Sequence, residues 1–215
     1  NNMVRFVAYP DGCSPRHGRI SCGTPSEDVI IRPTEQRPDA GGSNNAYGAV
    51  WLRDNASYIE FDGINMDGSL VNGGGGFVTG DQDASARMPH HIIVKNAEII
   101  GDFCTTCGAA GSGSSSMNLG AHETENPRAE GAFRIQNNRI HGAGQYHPSG
   151  QNTAGSYPIY IATWDSLIED NIFYDGWNYG IHCYNYDGGD GCNGNIIRRN
   201  LVYNIFVGVD PGNRM

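Results

Sequence analysis

Apolar and polar residues alternate in five short stretches of this chain, at 59–66, 92–99, 133–140, 166–173 and 195–202. Each stretch turns at Asn, Asp or Gly and resumes on an apolar residue. A period of two is the pattern of a strand with one buried face. A strand–turn–strand unit that recurs five times predicts a solenoid whose coils bury their apolar faces on one another. The central apolar residue of each unit serves as a register mark: Phe61, Val94, Ile135, Ile168 and Ile197. The marks lie 33, 41, 33 and 29 residues apart. A constant unit at irregular intervals means constant strands joined by connections of variable length. The long connections fall at 68–89, 101–130, 142–156 and 184–194, which are rich in Gly and Ser or Asp.

The marks define further columns. Five residues after them stand Met66, Ile99, Ile140, Phe173 and Val202, all apolar. Two residues before them stand Ile59, Ile92 and Phe133, then Ser166 and Asn195. That change to polar residues predicts a slip of one position in the last two coils. Three residues after the marks, Asn138, Asn171 and Asn200 form a column that predicts one corner of the solenoid. Asn tolerates the left-handed backbone of a sharp turn, and its side chain can hydrogen-bond along a stack. A third strand per coil is predicted before the unit, around Val50–Arg53 and Ile159–Ala162, with copies at 181–183 and 207–209.

Two of these units, Asp-Ser-Leu-Ile-Glu-Asp-Asn-Ile-Phe-Tyr-Asp-Gly from Asp165 and Asn-Ile-Ile-Arg-Arg-Asn-Leu-Val-Tyr-Asn from Asn195, carry a family likeness. The chain resembles the right-handed parallel β-helix proteins of the pectate-lyase-like superfamily over about residues 49–210. The resemblance implies an all-β, right-handed parallel β-helix of about five to six coils, with long loops on one side. It implies one domain over residues 1–215, with an irregular first coil at 1–48 and regular coils at 49–210, taken from a longer chain at one or both ends. An antiparallel sandwich is the competing fold, but it predicts neither a repeated Asn at one register nor loops at one side only. The superfamily comprises secreted polysaccharide lyases, glycoside hydrolases, epimerases, tailspikes and adhesins, so the likeness speaks to fold more than to reaction. The paired Asp and Gly-His-Gly of polygalacturonases are missing. So is the calcium-binding Asp cluster of the best-known pectate lyases.

Composition narrows the partners. Hydrophobic residues make up 38% of the chain, charged ones 17%, and glycine reaches 31 residues, a mixture poor in helix formers. The formal charge of −9 and a single lysine, Lys95, argue against nucleic acid. No apolar run approaches membrane-spanning length. Cys13 with Cys22, Cys104 with Cys107, and Cys183 with Cys192 form three close pairs. They are expected as disulfides of an extracellular, secreted or periplasmic protein, the alternative being free or zinc-bound thiols. Asn55 opens a glycosylation sequon.

Candidate chemistry lies on the third strand. Beside its inward residues stand Arg53, Tyr160 and His182, an outward row suited to β-elimination from a uronic acid chain. Arg would neutralise the carboxylate, and Tyr and His would move the protons. Trp51, Trp164 and Tyr184 are placed to stack on sugar rings. The plain alternative is that such residues are ordinary occupants of an exposed strand. His90, His91, His122, Glu123, His141 and His147 are read as loop residues, and no metal is assigned to them. Adjacent residues of a strand point to opposite faces, so His90–His91 is expected to be a poor chelate. Asp81–Asp83 and Asp187–Asp190 are either calcium-holding turns or simple turns. The expected partner is a polysaccharide or cell-surface glycan. The alternative is a non-catalytic structural or adhesive module that associates with itself end to end.

Overall fold

β-Branched and aromatic residues at every second position, interrupted by Gly, Asn and Asp, fold here into short strands that stack coil upon coil. A computed structural model of the chain describes residues 3–8, 14–16, 19–21, 29–33, 48–53, 56–71, 75–79, 89–101, 115–120, 132–143, 157–177, 179–183 and 192–206. The first coil comprises β1 (Val4–Val7), a hairpin of β2 (Ser14–Arg16) and β3 (Arg19–Ser21), then β4 (Val29–Ile31) and β5 (Gly48–Leu52). The second has β6 (Ser57–Asp62), β7 (Ile64–Asp67) and β8 (Gly75–Thr79). The third has β9 (His90–Lys95), β10 (Glu98–Ile100) and β11 (Met117–Gly120). The fourth has β12 (Arg134–Gln136), β13 (Arg139–His141) and β14 (Ile159–Ala162). The fifth has β15 (Leu167–Glu169), β16 (Ile172–Trp177) and β17 (Ile181–Cys183), and the sixth contributes β18 (Ile196–Arg198) and β19 (Leu201–Phe206).

Equivalent strands of successive coils pair in parallel and make three sheets. Sheet I runs β1-β6-β9-β12-β15-β18, sheet II β4-β7-β10-β13-β16-β19, and sheet III β5-β8-β11-β14-β17. This is an all-β parallel β-helix, as expected. The antiparallel sandwich is overturned, since among the described residues only the small β2–β3 hairpin is antiparallel.

The register marks align without a break. Phe6, Phe61, Val94, Ile135, Ile168 and Ile197 face one another down sheet I. Ile31, Met66, Ile99, Ile140, Phe173 and Val202 do the same on sheet II. From Met66 to Phe173 this second column is fully buried, and burying each such side chain stabilises by roughly 1.5–3 kcal/mol. The expected slip at Ser166 and Asn195 does not occur. Those polar residues instead close the corner: Phe133 N donates to Ser166 Oγ at 3.3 Å, Ser166 N donates to Asn195 Oδ1 at 2.8 Å, and Asn195 Nδ2 donates to the Thr163 carbonyl at 2.8 Å.

Two strands of sheet III lie where long loops were expected. β8 sits inside 68–89 and is buried along its whole length, and β11 sits inside 101–130. Glycine permits this close approach: a Cβ on Gly75 would lie 2.1 Å from the Ser115 carbonyl oxygen, and one on Gly76 would lie 2.6 Å from that of Met66. Of the expected third-strand copies, 207–209 lies outside the described residues.

The Asn column forms the ladder expected of it. Asn138 N and Nδ2 both donate to Asn171 Oδ1 at 3.0 Å, and Asn171 Nδ2 donates to Asn200 Oδ1 at 3.0 Å. The left-handed residue, however, is the one before each position of this column (Ile64, Ala97, Asn138, Asn171 and Asn200). It is Gly63 (φ 73°), Asn96 (55°), Asn137 (54°), Asp170 (58°) and Arg199 (54°). Two more corners repeat the device. Tyr58, His91, Ala132, Asp165 and Gly194 have positive φ at the entry to sheet I, and Gly142, Asp175 and Asn204 at the exit from sheet II.

Candidate functional site

The connections differ between sheets. Between sheets I and II residues 8–28 join β1 to β4 in the first coil, but from the second coil on the connections are short: 63 alone, then 96–97, 137–138, 170–171 and 199–200. From the second coil on, the long and variable connections run into or out of sheet III.

On the outer face of sheet III, register places Trp51, Val78, Asn118, Tyr160 and His182 in one outward row. Arg53, expected in this row, lies two residues beyond Trp51 and three strands from Tyr160. Its guanidinium sits over the Trp51 ring, 4.5 Å from the centroid, the geometry of a cation–π contact. Tyr160 and His182 are direct neighbours, with ring centroids 5.3 Å apart at 70°. The structure thus brings two of the three expected residues together and leaves Arg53 with Trp51.

Two tyrosines not foreseen complete the cluster. Tyr157 lies against His182 with centroids 4.1 Å apart, and against Tyr160 at 5.9 Å. Tyr179 lies 6.0 Å from Tyr157 and 5.6 Å from His182. Tyr157 is held from behind, because its carbonyl accepts from Ser116 N at 3.1 Å. Tyr179 enters through the short connection before β17, where Gly180 packs so tightly that a Cβ would meet Val202 Cγ1 at 2.2 Å. Tyr157 is buried while Tyr179 is 55% exposed, so the cluster presents a ring at its surface. Burial lowers the pKa of His182, which keeps its imidazole neutral near pH 7.

Just past His182, Cys183 and Cys192 form a disulfide, as expected. Cys13, Cys22, Cys104 and Cys107 lie outside the described residues, as do Tyr184, Asn55, His122, Glu123, His147, Asp81–Asp83 and Asp187–Asp190. Trp164 lies in the turn between β14 and β15. Its Nε1 and Asn118 Oδ1 are buried without a hydrogen-bond partner among the described residues. No group of three or more metal-ligating side chains occurs among those residues.

A second aromatic row runs down sheet II. His141 stacks on Tyr174 at 4.4 Å, and Tyr174 on Tyr203 at 5.3 Å with rings 3° from parallel. Glu98 Oε1 lies 3.1 Å from His141 Nε2. Burial, then the Glu98 charge, raises the Tyr174 pKa. Each ring follows a column residue by one position (Ile140, Phe173, Val202), so the row was readable from the register marks.

His90 and His91 depart from expectation. The left-handed backbone at His91 breaks the alternation of β9, and the two rings converge with Nδ1 atoms 2.7 Å apart. Tyr58, in the same corner column of the preceding coil, stacks on His91 at 4.7 Å.

Comparison of the chain with protein-family models, with curated proteins and with solved structures returns no match.

Proposed function

We propose that this protein binds an extracellular polysaccharide along the outer face of sheet III. The observation that carries the reading is the convergence of Tyr157, Tyr160, Tyr179 and His182 on one face. Aromatic rings offer flat apolar surfaces with polar edges, which suits the alternating apolar faces and hydroxyl rims of sugar rings. The row continues through Asn118 and the buried Val78. It ends on Trp51 with Arg53, four strand spacings from His182, or roughly 19 Å. That length suits a chain rather than a single sugar. Neutral His182 beside Tyr160 is the pair in reach of one glycosidic linkage if binding leads to cleavage. The Cys183–Cys192 disulfide supports an oxidising, extracellular or periplasmic setting.

The test is a screen of acidic and neutral polysaccharides by affinity electrophoresis, with absorbance of unsaturated sugars read in the same samples. Tyr179→Ala is expected to weaken retardation about tenfold, near 1.4 kcal/mol, with far-UV circular dichroism unchanged. Retardation by none of the polysaccharides, or retardation indifferent to Tyr179→Ala and Tyr160→Ala, would overturn the assignment. Unsaturated product lost in His182→Ala would extend it to a lyase.

A further inference from the structure

We propose that Asn193, at the corner that opens the sixth coil, is a self-modification site, where the Gly194 backbone nitrogen attacks the side-chain amide and converts it to a carboxylate. The corner dictates the residue pair. Gly194 holds the left-handed place at the entry to sheet I, with a φ of 70°. A Cβ there would lie 2.0 Å from Asp165 Oδ1 of the fifth coil, so glycine alone fits. Asn193 is exposed beside it, and its carbonyl accepts from Asp165 N at 3.0 Å. With no Cβ on the next residue, the backbone nitrogen can reach Asn193 Cγ without a side-chain clash. The residue that lets the chain turn is the one that leaves the amide open to attack.

The other asparagines show what protects an amide in this fold. Attack needs the nitrogen of the following residue, and along the ladder that nitrogen is engaged. Arg139 N donates to the Ala97 carbonyl at 2.9 Å, Ile172 N to that of Asn138 at 2.8 Å, and Leu201 N to that of Asn171 at 2.9 Å. Ile196 N, which follows Asn195, donates to the Ser166 carbonyl at 2.8 Å. Such bonds between coils open only when the local structure opens. Each of these following residues also carries a large side chain, and Asn138 and Asn171 are buried. Among the described residues, Asn193 alone is an asparagine followed by glycine.

Water is the only co-reactant. Solvent hydroxide takes the proton from Gly194 N, and the nitrogen's electron pair forms a bond to Asn193 Cγ. The Cγ–Nδ2 bond breaks, and ammonia leaves with a proton from water. A water molecule then adds to either carbonyl of the cyclic imide and reopens the ring. One opening gives aspartate. The other gives isoaspartate, in which the chain runs on through Cγ and lengthens by one carbon, while the former main-chain carbonyl becomes the free carboxylate. Either product adds a negative charge at the turn where the Asp165 carboxylate already lies against Gly194, next to the Cys192 disulfide.

The whole protein, incubated at neutral and at mildly alkaline pH and digested at intervals, tests this by mass spectrometry. Peptides spanning 193–194 should gain the mass of amide-to-acid exchange at least tenfold faster than peptides holding Asn138, Asn171 or Asn200, and faster at the higher pH. They should separate into aspartate and isoaspartate forms. Hydroxylamine, which attacks the cyclic imide, should cut the chain between 193 and 194. Asn193→Gln, which could close only a less favourable six-membered ring, should keep the peptide intact with far-UV circular dichroism unchanged. The same chain unfolded in urea gives the intrinsic rate. Conversion of Asn193 in the folded protein at less than a tenth of that rate would overturn the site. So would equal conversion of Asn193 and the ladder asparagines in the folded protein.

Discussion

Asn171 shows how much one side chain can hold in a stacked fold. Its Oδ1 accepts from Asn138 N and Nδ2, and its Nδ2 donates to Asn200 Oδ1 and to the Ile135 carbonyl at 2.8 Å. The side chain is 1% exposed, so no water can replace it. Asn171→Ala leaves a backbone donor and a backbone acceptor buried without partners, each costing about 1–3 kcal/mol. A loss on the order of 3 kcal/mol is expected, seen as a lower urea midpoint at unchanged slope. A loss below about 1 kcal/mol would mean that the ladder relaxes around the gap. The same corner shows where sequence reading stops. Asn stands at both 137 and 138, so composition marks the turn. Only the backbone angle reveals that Asn137 takes the left-handed position and Asn138 makes the ladder. His91 is the same case: nothing in the letters says that it leaves the strand conformation.

Among the elements, the strands of sheet I carry a charge ladder on their outer face. Glu60 receives Arg5 Nε at 2.9 Å and Lys95 Nζ at 2.8 Å, and Lys95 also reaches Asp62 at 3.3 Å. The hydrogen bond from Lys95 is the largest influence on Glu60. It outweighs burial and, with Arg5, lowers the carboxyl pKa below its usual 4.5. A lowered pKa contributes stability above the unfolded value, and that contribution is lost as pH falls through the folded one. Unfolding free energy should therefore decline below about pH 4.5, and Glu60→Gln should make the acid decline shallower. The same acid slope in wild type and variant would remove Glu60 from the account. Sheets I and II were legible because their strands flank a short, constant turn, which keeps the period in view. β8 and β11 were not. Their flanks are Gly- and Ser-rich, and the glycines that admit the chain at Gly75 and Gly76 are the residues that read as a loop. Missing β8 and β11 hid the true row, and Arg53 stood in for Trp51.

In the whole molecule, the parallel strands of each coil pair only with those of adjacent coils among the described residues, so stability is expected to vary along the axis. The register marks are 0% exposed at Val94, Ile135 and Ile168, against 47% at Phe6 and 40% at Ile197. Amide hydrogen exchange should be slowest in β10, β12 and β13 and fastest in β1 and β18. Reducing Cys183–Cys192 should speed exchange in β17, since a loop of this length is worth roughly 2–3 kcal/mol. Uniform protection through all six coils would instead mean that the stack opens as one unit.

The contrast between the two kinds of connection carries a consequence for how such a chain can change over generations. At 137–138 or 170–171 one added residue would displace a left-handed corner and throw every later rung out of phase. Around sheet III, doubling a connection costs only about 0.6 kcal/mol in closure entropy, and the next strand still lands on its rung. Insertions and deletions can therefore accumulate beside the aromatic row while the frame beneath stays fixed. The surface that would meet a ligand is the part of this protein most free to be rewritten.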